Sequence, residues 1–118
     1  MLQGCTPWPE EFVKMYRDNN CWRGETFGRM LSERANLHGD RIAITSSDTS
    51  ITYKELDKNV NMLANGFLKM GIKKDDRVVV QLPNIIAFFE VCFALFRIGA
   101  LPVFSLPLHR NSEVTYFC

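Results

Sequence analysis

Residues 77–106 read RVVVQLPNIIAFFEVCFALFRIGALPVFSL, and the way this stretch divides decides the fold. Residues 77–82 run from Arg77 through Val78, Val79 and Val80 to Leu82, β-branched in the centre and without in/out alternation. Such a run predicts a short strand covered on both faces. Pro83 and Asn84 break it, and Asn84 is placed to cap a helix over 85–98. That segment carries Ile85, Ile86, Phe88, Phe89, Val91, Cys92, Phe93, Leu95, Phe96 and Ile98, apolar almost all the way round. A helix of that kind is expected to be buried rather than amphipathic. Gly99 suits the left-handed position just past a helix end. Residues 101–106 then supply a second apolar strand. Strand, crossover helix and strand make a βαβ unit, expected with a right-handed crossover.

On the N-terminal side, residues 1–7 read as an extended arm. Pro9 suits the first position of a helix, with Glu10 and Glu11 complementing its positive end. Phe12, Met15 and Tyr16 give that helix a short apolar stripe, and Asn19 and Asn20 stop it. Trp22 is expected to anchor the connector that follows to the body. Thr26 caps a second helix over 27–37, with Phe27, Met30, Leu31 and Ala35 on one face and Gly39 at its end. Residues 41–45 and 51–53, separated by a polar turn, read as a hairpin at a sheet edge. Thr52 and Glu55 have capping-box spacing, each satisfying backbone N–H groups at the start of the next helix. Leu56, Val60, Leu63, Phe67 and Met70 then form one stripe, and Gly71 ends the helix. Lys73 to Asp76 is a charged turn. Beyond residue 106, a loop leads to a further helix that Asn111 or Ser112 would cap, with Glu113 in its first turn and the apolar pair Tyr116-Phe117 close behind.

The order helix, helix, hairpin, helix, strand, helix, strand predicts an α/β fold with helices on a partly parallel sheet and one complete βαβ unit at 77–106. A three-layer α/β/α domain needs more strands than these 118 residues supply. The expected organisation is therefore a partial subdomain over 1–118, with an arm and short helix at 1–25 and an α/β body at 26–118.

Composition narrows the function classes. The chain is 47% hydrophobic and 23% charged, with a net charge of +1. Acidic and basic residues are interspersed, which argues against a nucleic-acid surface. Residues 85–106 are long enough to span a membrane, but Glu90, Arg97 and the break from Gly99 to Pro102 interrupt them. The helical part falls short of the roughly 20 residues a span needs. The first residues have neither the basic start nor the apolar run of a secretion signal. Cys5, Cys21, Cys92 and Cys118 have no C-x-x-C spacing. Reduced thiols and a cytoplasmic setting follow as the expectation.

Chemistry-bearing patterns are sparse. A phosphate loop needs clustered glycines between strand and helix, whereas the turn Gln81-Leu82-Pro83-Asn84 has none and Pro83 donates no N–H. His38 falls at a helix end. His109 beside Arg110 is a candidate contact for an anionic partner, weighed against a plain surface or interdomain salt contact. Asp75 and Asp76 read as a solvated turn, and Asp48 has no acidic neighbour. Ser46, Ser47 and Ser50 lack the glycine elbow that activates a nucleophile. Trp8 and Trp22 read as packing anchors. No catalytic, cofactor-binding or metal residue is assigned.

Several stretches taken together are similar to a known family. TPWPEEF, CWRGETFG, GDRIAIT, ITYKELD, the run DRVVVQLPNIIAFFEVCFALFRIGALPVFSLPLHR, and SEVTYF resemble the start of 2,3-dihydroxybenzoate–AMP ligases. These stand-alone aryl-acid adenylating enzymes of catechol siderophore synthesis belong to the adenylate-forming superfamily, with acyl-CoA synthetases, luciferases and peptide-synthetase adenylation domains. ITYKEL resembles the first core motif of the superfamily and LFRIGALPVFSLP the second. The TPWPEEF arm and the LPLHR segment point to the aryl-acid branch. For an intact enzyme the resemblance implies ATP and Mg as cofactors, an aryl acid as substrate, and an aryl carrier protein whose phosphopantetheine thiol accepts the aryl group. It also implies that the phosphate loop, the acid pocket and the catalytic lysine lie elsewhere in the enzyme, so this chain alone is expected to bind no cofactor and to be inactive. Two other readings stay open from the sequence: a piece of a salicylate or other acyl adenylating enzyme, and a non-catalytic, self-associating α/β module.

Overall fold

The computed structural model of the chain describes residues 4–47 and 49–117. Met1, Leu2, Gln3, Asp48 and Cys118, and the side chain of Phe117, lie outside the described residues. The elements are α1 (Glu10–Asp18), α2 (Phe27–His38), β1 (Ile42–Ser46), β2 (Thr49–Thr52), α3 (Tyr53–Lys69), β3 (Arg77–Val80), α4 (Ile86–Ile98), β4 (Leu101–Phe104) and α5 (Asn111–Phe117).

The central unit forms as its sequence requires. β3 and β4 pair in parallel, from Arg77 opposite Leu101 to Val80 opposite Phe104. Gly99 ends α4 in the left-handed region at φ 78°. A Cβ there would lie 2.9 Å from Cγ of Lys74, so conformation and space both call for glycine. α4 begins one residue later than expected. The N–H of Ile85 bonds the carbonyl of Pro83 at 2.8 Å, and this tight turn makes Ile85, not Asn84, the last residue before the helix.

The core lies on either side of α4. Leu31, Leu56, Val60, Ala64 and Ala94 join α2, α3 and α4. Val80, Cys92, Leu95 and Ala100 join α4 to the parallel pair. Burial pushes the Cys92 thiol above its ordinary pKa, so it stays protonated. Gly28 marks the crossing of α2 on α4, where a Cβ would come within 2.9 Å of the Arg97 Cα. Full burial of α4, however, does not occur. Cys92, Ala94 and Leu95 are buried, while Ile85 and Phe89 at its start are 41% and 40% exposed. The elements packed on it do not cover a helix that is apolar almost all the way round.

Other expectations are met or corrected locally. The hydroxyl of Thr26 accepts from the N–H of Arg29 and caps α2. The Thr52–Glu55 capping box forms in full at the start of α3. Leu56 and Val60 of the α3 stripe are buried. Met70 instead lies at the end of α3, 77% exposed, and Ala64 takes a place in the buried face. β1 and β2 pair antiparallel with a bulge between Ile42 and Ile44. They form a sheet of their own and not the edge of a larger one. The hairpin feeds straight into α3, where the N–H groups of Tyr53 and Lys54 bond the carbonyls of Arg41 and Gly39, so both strands pack on α3 and β1 packs on α4 as well. α5 starts at Asn111, and its cap is Arg110, whose carbonyl accepts from Glu113 and Val114.

The arm folds on itself. Pro9 is the N-cap of α1 rather than its first residue, and its carbonyl accepts from Phe12 and Val13. Trp22 does not anchor to the body. Its ring lies 5.1 Å from Tyr16 and 6.1 Å from Trp8, which pins the connector back onto α1. α1 buries no residue. The radius of gyration is 16.6 Å, against about 13.5 Å for a compact domain of this length.

Candidate functional site

In an open parallel sheet the carboxyl ends of the strands face the ligand crevice. Here those ends lead into two loops, 81–85 after β3 and 105–110 after β4. Gln81 joins them. Its amide Nε2 donates to the carbonyl of Leu106 at 2.9 Å and to that of His109 at 2.8 Å. The second loop is closed from within. The N–H of His109 bonds the Leu106 carbonyl at 2.9 Å, and the N–H of Leu106 donates to Nδ1 of His109 at 3.2 Å. The hydroxyl of the buried Ser105 lies 3.1 Å from the same nitrogen. Because a backbone N–H can only donate, Nδ1 is an acceptor, and the ring carries its proton on Nε2. The imidazole holds its own loop through Nδ1. Arg110 is exposed.

Around this brace the surface is apolar. Phe88 packs against Phe89 and Phe104, each at a ring distance of 5.5 Å. Phe104, Leu106 and Leu108 stand 57%, 63% and 87% exposed.

The remaining sequence candidates stay apart from one another. His38 ends α2, and its carbonyl accepts from Arg41. Ser50 shares a hydrogen bond with Thr45 across the hairpin. Asp76 accepts the N–H of Lys73 at 2.7 Å, a turn bond rather than a ligand position. Among the described residues, no three His, Cys, Asp or Glu side chains are grouped to hold a metal. The 81–84 turn presents no glycine nest, and its Pro83 carbonyl and Gln81 amide are already bonded. These residues do not fit Mg–ATP.

One polar centre escaped the sequence reading. Arg97, on α4, donates to the carboxylate of Asp57 at 2.7 Å, to Ser32 at 3.0 Å, to the side chain of Asn61 at 2.6 Å and to the Gly28 carbonyl at 3.2 Å. Asp57 also accepts from Ser32 and Asn61. The group ties α2, α3 and α4 together and satisfies a charge that α4 carries inward. A lone arginine in an apolar helix was the available signal. Beside this group lies an apolar recess of about 310 Å³ lined by Met30, Leu31, Ala43, Ile44, Phe89 and Phe93, with Arg34 among its residues.

The family model for AMP-binding enzymes matches residues 31–118. The chain belongs to the AMP-binding enzyme family. The 2,3-dihydroxybenzoate-AMP ligase of Bacillus subtilis (strain 168) is 64% identical over 118 residues, all of this chain and 22% of that protein. The salicyl-AMP ligase / salicyl-S-ArCP synthetase of Mycobacterium tuberculosis is 36% identical over 121 residues, covering 98% of this chain and 21% of its own. The apo structure of MbtA from Mycobacterium smegmatis superposes with a TM-score of 0.90 at 41% identity, over 97% of this chain and 22% of that one. The chain thus spans about a fifth of the length of these relatives. It matches the N-terminal subdomain of adenylate-forming enzymes. No helix among its described residues is long and apolar enough to cross a membrane.

Proposed function

We propose that this chain is the N-terminal scaffold of an ATP-dependent ligase that adenylates 2,3-dihydroxybenzoate in catechol siderophore synthesis. On this reading the enzyme uses ATP and Mg in the cytoplasm and passes the aryl group to the phosphopantetheine thiol of a carrier protein. The 64% identity to the Bacillus subtilis ligase along the whole chain carries the reading. Because the residues present do not fit Mg–ATP, the catalytic steps belong to the rest of the enzyme. What these residues supply is a fixed frame: a parallel strand pair, a helix packed on it, and braced loops at the carboxyl ends. Residues 26–118 form the body of that frame and residues 1–25 an arm.

ATP–pyrophosphate exchange tests this. The intact enzyme is expected to exchange in the presence of 2,3-dihydroxybenzoate, and the 118-residue chain alone is expected not to. Exchange by the short chain would overturn the assignment of the chemistry to other residues. A second reading, salicylate as the acid, is favoured by the 36% identity to the salicyl-AMP ligase. Exchange that depends on salicylate and ignores 2,3-dihydroxybenzoate would select it.

A further inference from the structure

We infer that Gln81 is a positioning residue for the ligand crevice of the intact enzyme, acting through the loop 105–110; the inference rests on the adenylating function proposed above. The loop leaves the carboxyl end of β4, on the side where open parallel sheets take their ligands. Its shape is fixed by two independent devices. One is internal, with the Leu106 N–H and the Ser105 hydroxyl meeting Nδ1 of His109. The other is Gln81, which reaches across from the β3 loop and donates both amide hydrogens to carbonyls at the two ends of the same turn. A side chain that spends both donors on one loop has a geometric task. That loop contributes little to the core: Leu106, Leu108 and Arg110 are exposed, and of its residues only Ser105 is buried. What the clamp does is hold the loop 105–110 at a set distance from the turn after β3.

Glutamine is suited to this task in a way its near-isosteres are not. Methionine keeps the length and loses both donors. Glutamate keeps the length and sets a carboxylate against two carbonyl oxygens. The experiment compares Gln81→Met and Gln81→Glu in the intact enzyme by pyrophosphate exchange and, separately, by aryl transfer to a pantetheinyl thiol. Both variants are expected to raise KM at least fivefold for one substrate with kcat within about twofold and the melting temperature within 2 °C, Gln81→Glu more than Gln81→Met. A rise confined to exchange places the aryl acid or ATP against the loop; a rise confined to transfer places the thiol there. Unchanged KM values in both reactions overturn the inference, as does a loss of activity that only follows a loss of folded enzyme. The wild-type exchange rate tests the proposed function, while the ratio of variant to wild type tests Gln81, so the two failures are distinct.

Discussion

Arg97 and Gly28 meet at one crossing and explain each other. The glycine lets α2 approach until a Cβ would come within 2.9 Å of the Arg97 backbone, and that approach brings the Gly28 carbonyl within reach of the guanidinium at 3.2 Å. Gly28→Ala must push the helices apart, and its expected cost is about 1–3 kcal/mol, read as a lower denaturant midpoint at unchanged slope. Arg97→Met leaves the carboxylate of Asp57, 22% exposed, without its cation. Its expected cost is about 3 kcal/mol, and the Asp57→Leu/Arg97→Met pair is expected to cost less than the single change. A double variant no better than Arg97→Met would show that the ion pair is not what the arginine serves. A lone arginine in an apolar helix signals a buried partner without naming it, and the role of Gly28 was not legible in the sequence at all. Gly28 stands early in a helical stretch with no turn to demand it, and its partner is distant along the chain. Gln81 was hidden for the same reason, since its acceptors are backbone carbonyls 25 and 28 residues away.

Elements were legible where their determinants are local. The capping box of α3 is read from four residues and forms as read: the Glu55 carboxylate accepts the Thr52 N–H at 2.8 Å, and the Thr52 hydroxyl accepts the Glu55 N–H at 3.2 Å. The Thr52 backbone N–H, and then its hydroxyl, hold the Glu55 carboxyl below the usual range. A depressed carboxylate contributes stability that is present above its unfolded pKa of about 4.3 and is lost as pH falls through the lower folded value. Melting temperatures taken from pH 6 down to pH 3 are therefore expected to fall more for the wild type than for Glu55→Gln. Parallel curves would remove the carboxylate from the cap. Thr52→Ala, at neutral pH, is expected to cost about 1 kcal/mol. The limits of α4 and α1 moved by a residue because tight turns, which depend on backbone bonds and not on side-chain type, set their starts. The hairpin was legible as a hairpin, but its place was not: whether two strands join another sheet depends on neighbours that no local pattern specifies.

At the scale of the molecule, the apolar surface exceeds what the chain can cover. Phe104, Leu106 and Leu108 lie exposed near the half-covered start of α4, and patches of this kind promote association. Sedimentation equilibrium is expected to give an apparent mass that rises above 13.6 kDa with concentration; one fixed at that value across a hundredfold range would mean that the surface is inert. The α/β class followed from the 77–106 stretch because one buried helix between two β-branched runs has few other solutions. The outline of the molecule did not follow, since it depends on contacts the chain does not make. β3 and β4 form a sheet of two strands whose outer edges meet no other strand among the described residues. Synthesis proceeds from the N-terminus, so on the proposed reading these edges leave the ribosome well before the greater part of the enzyme exists. At 5–20 residues per second that interval is on the order of tens of seconds, far longer than a nascent strand needs to find a wrong partner, and the early chain becomes a natural client for a chaperone.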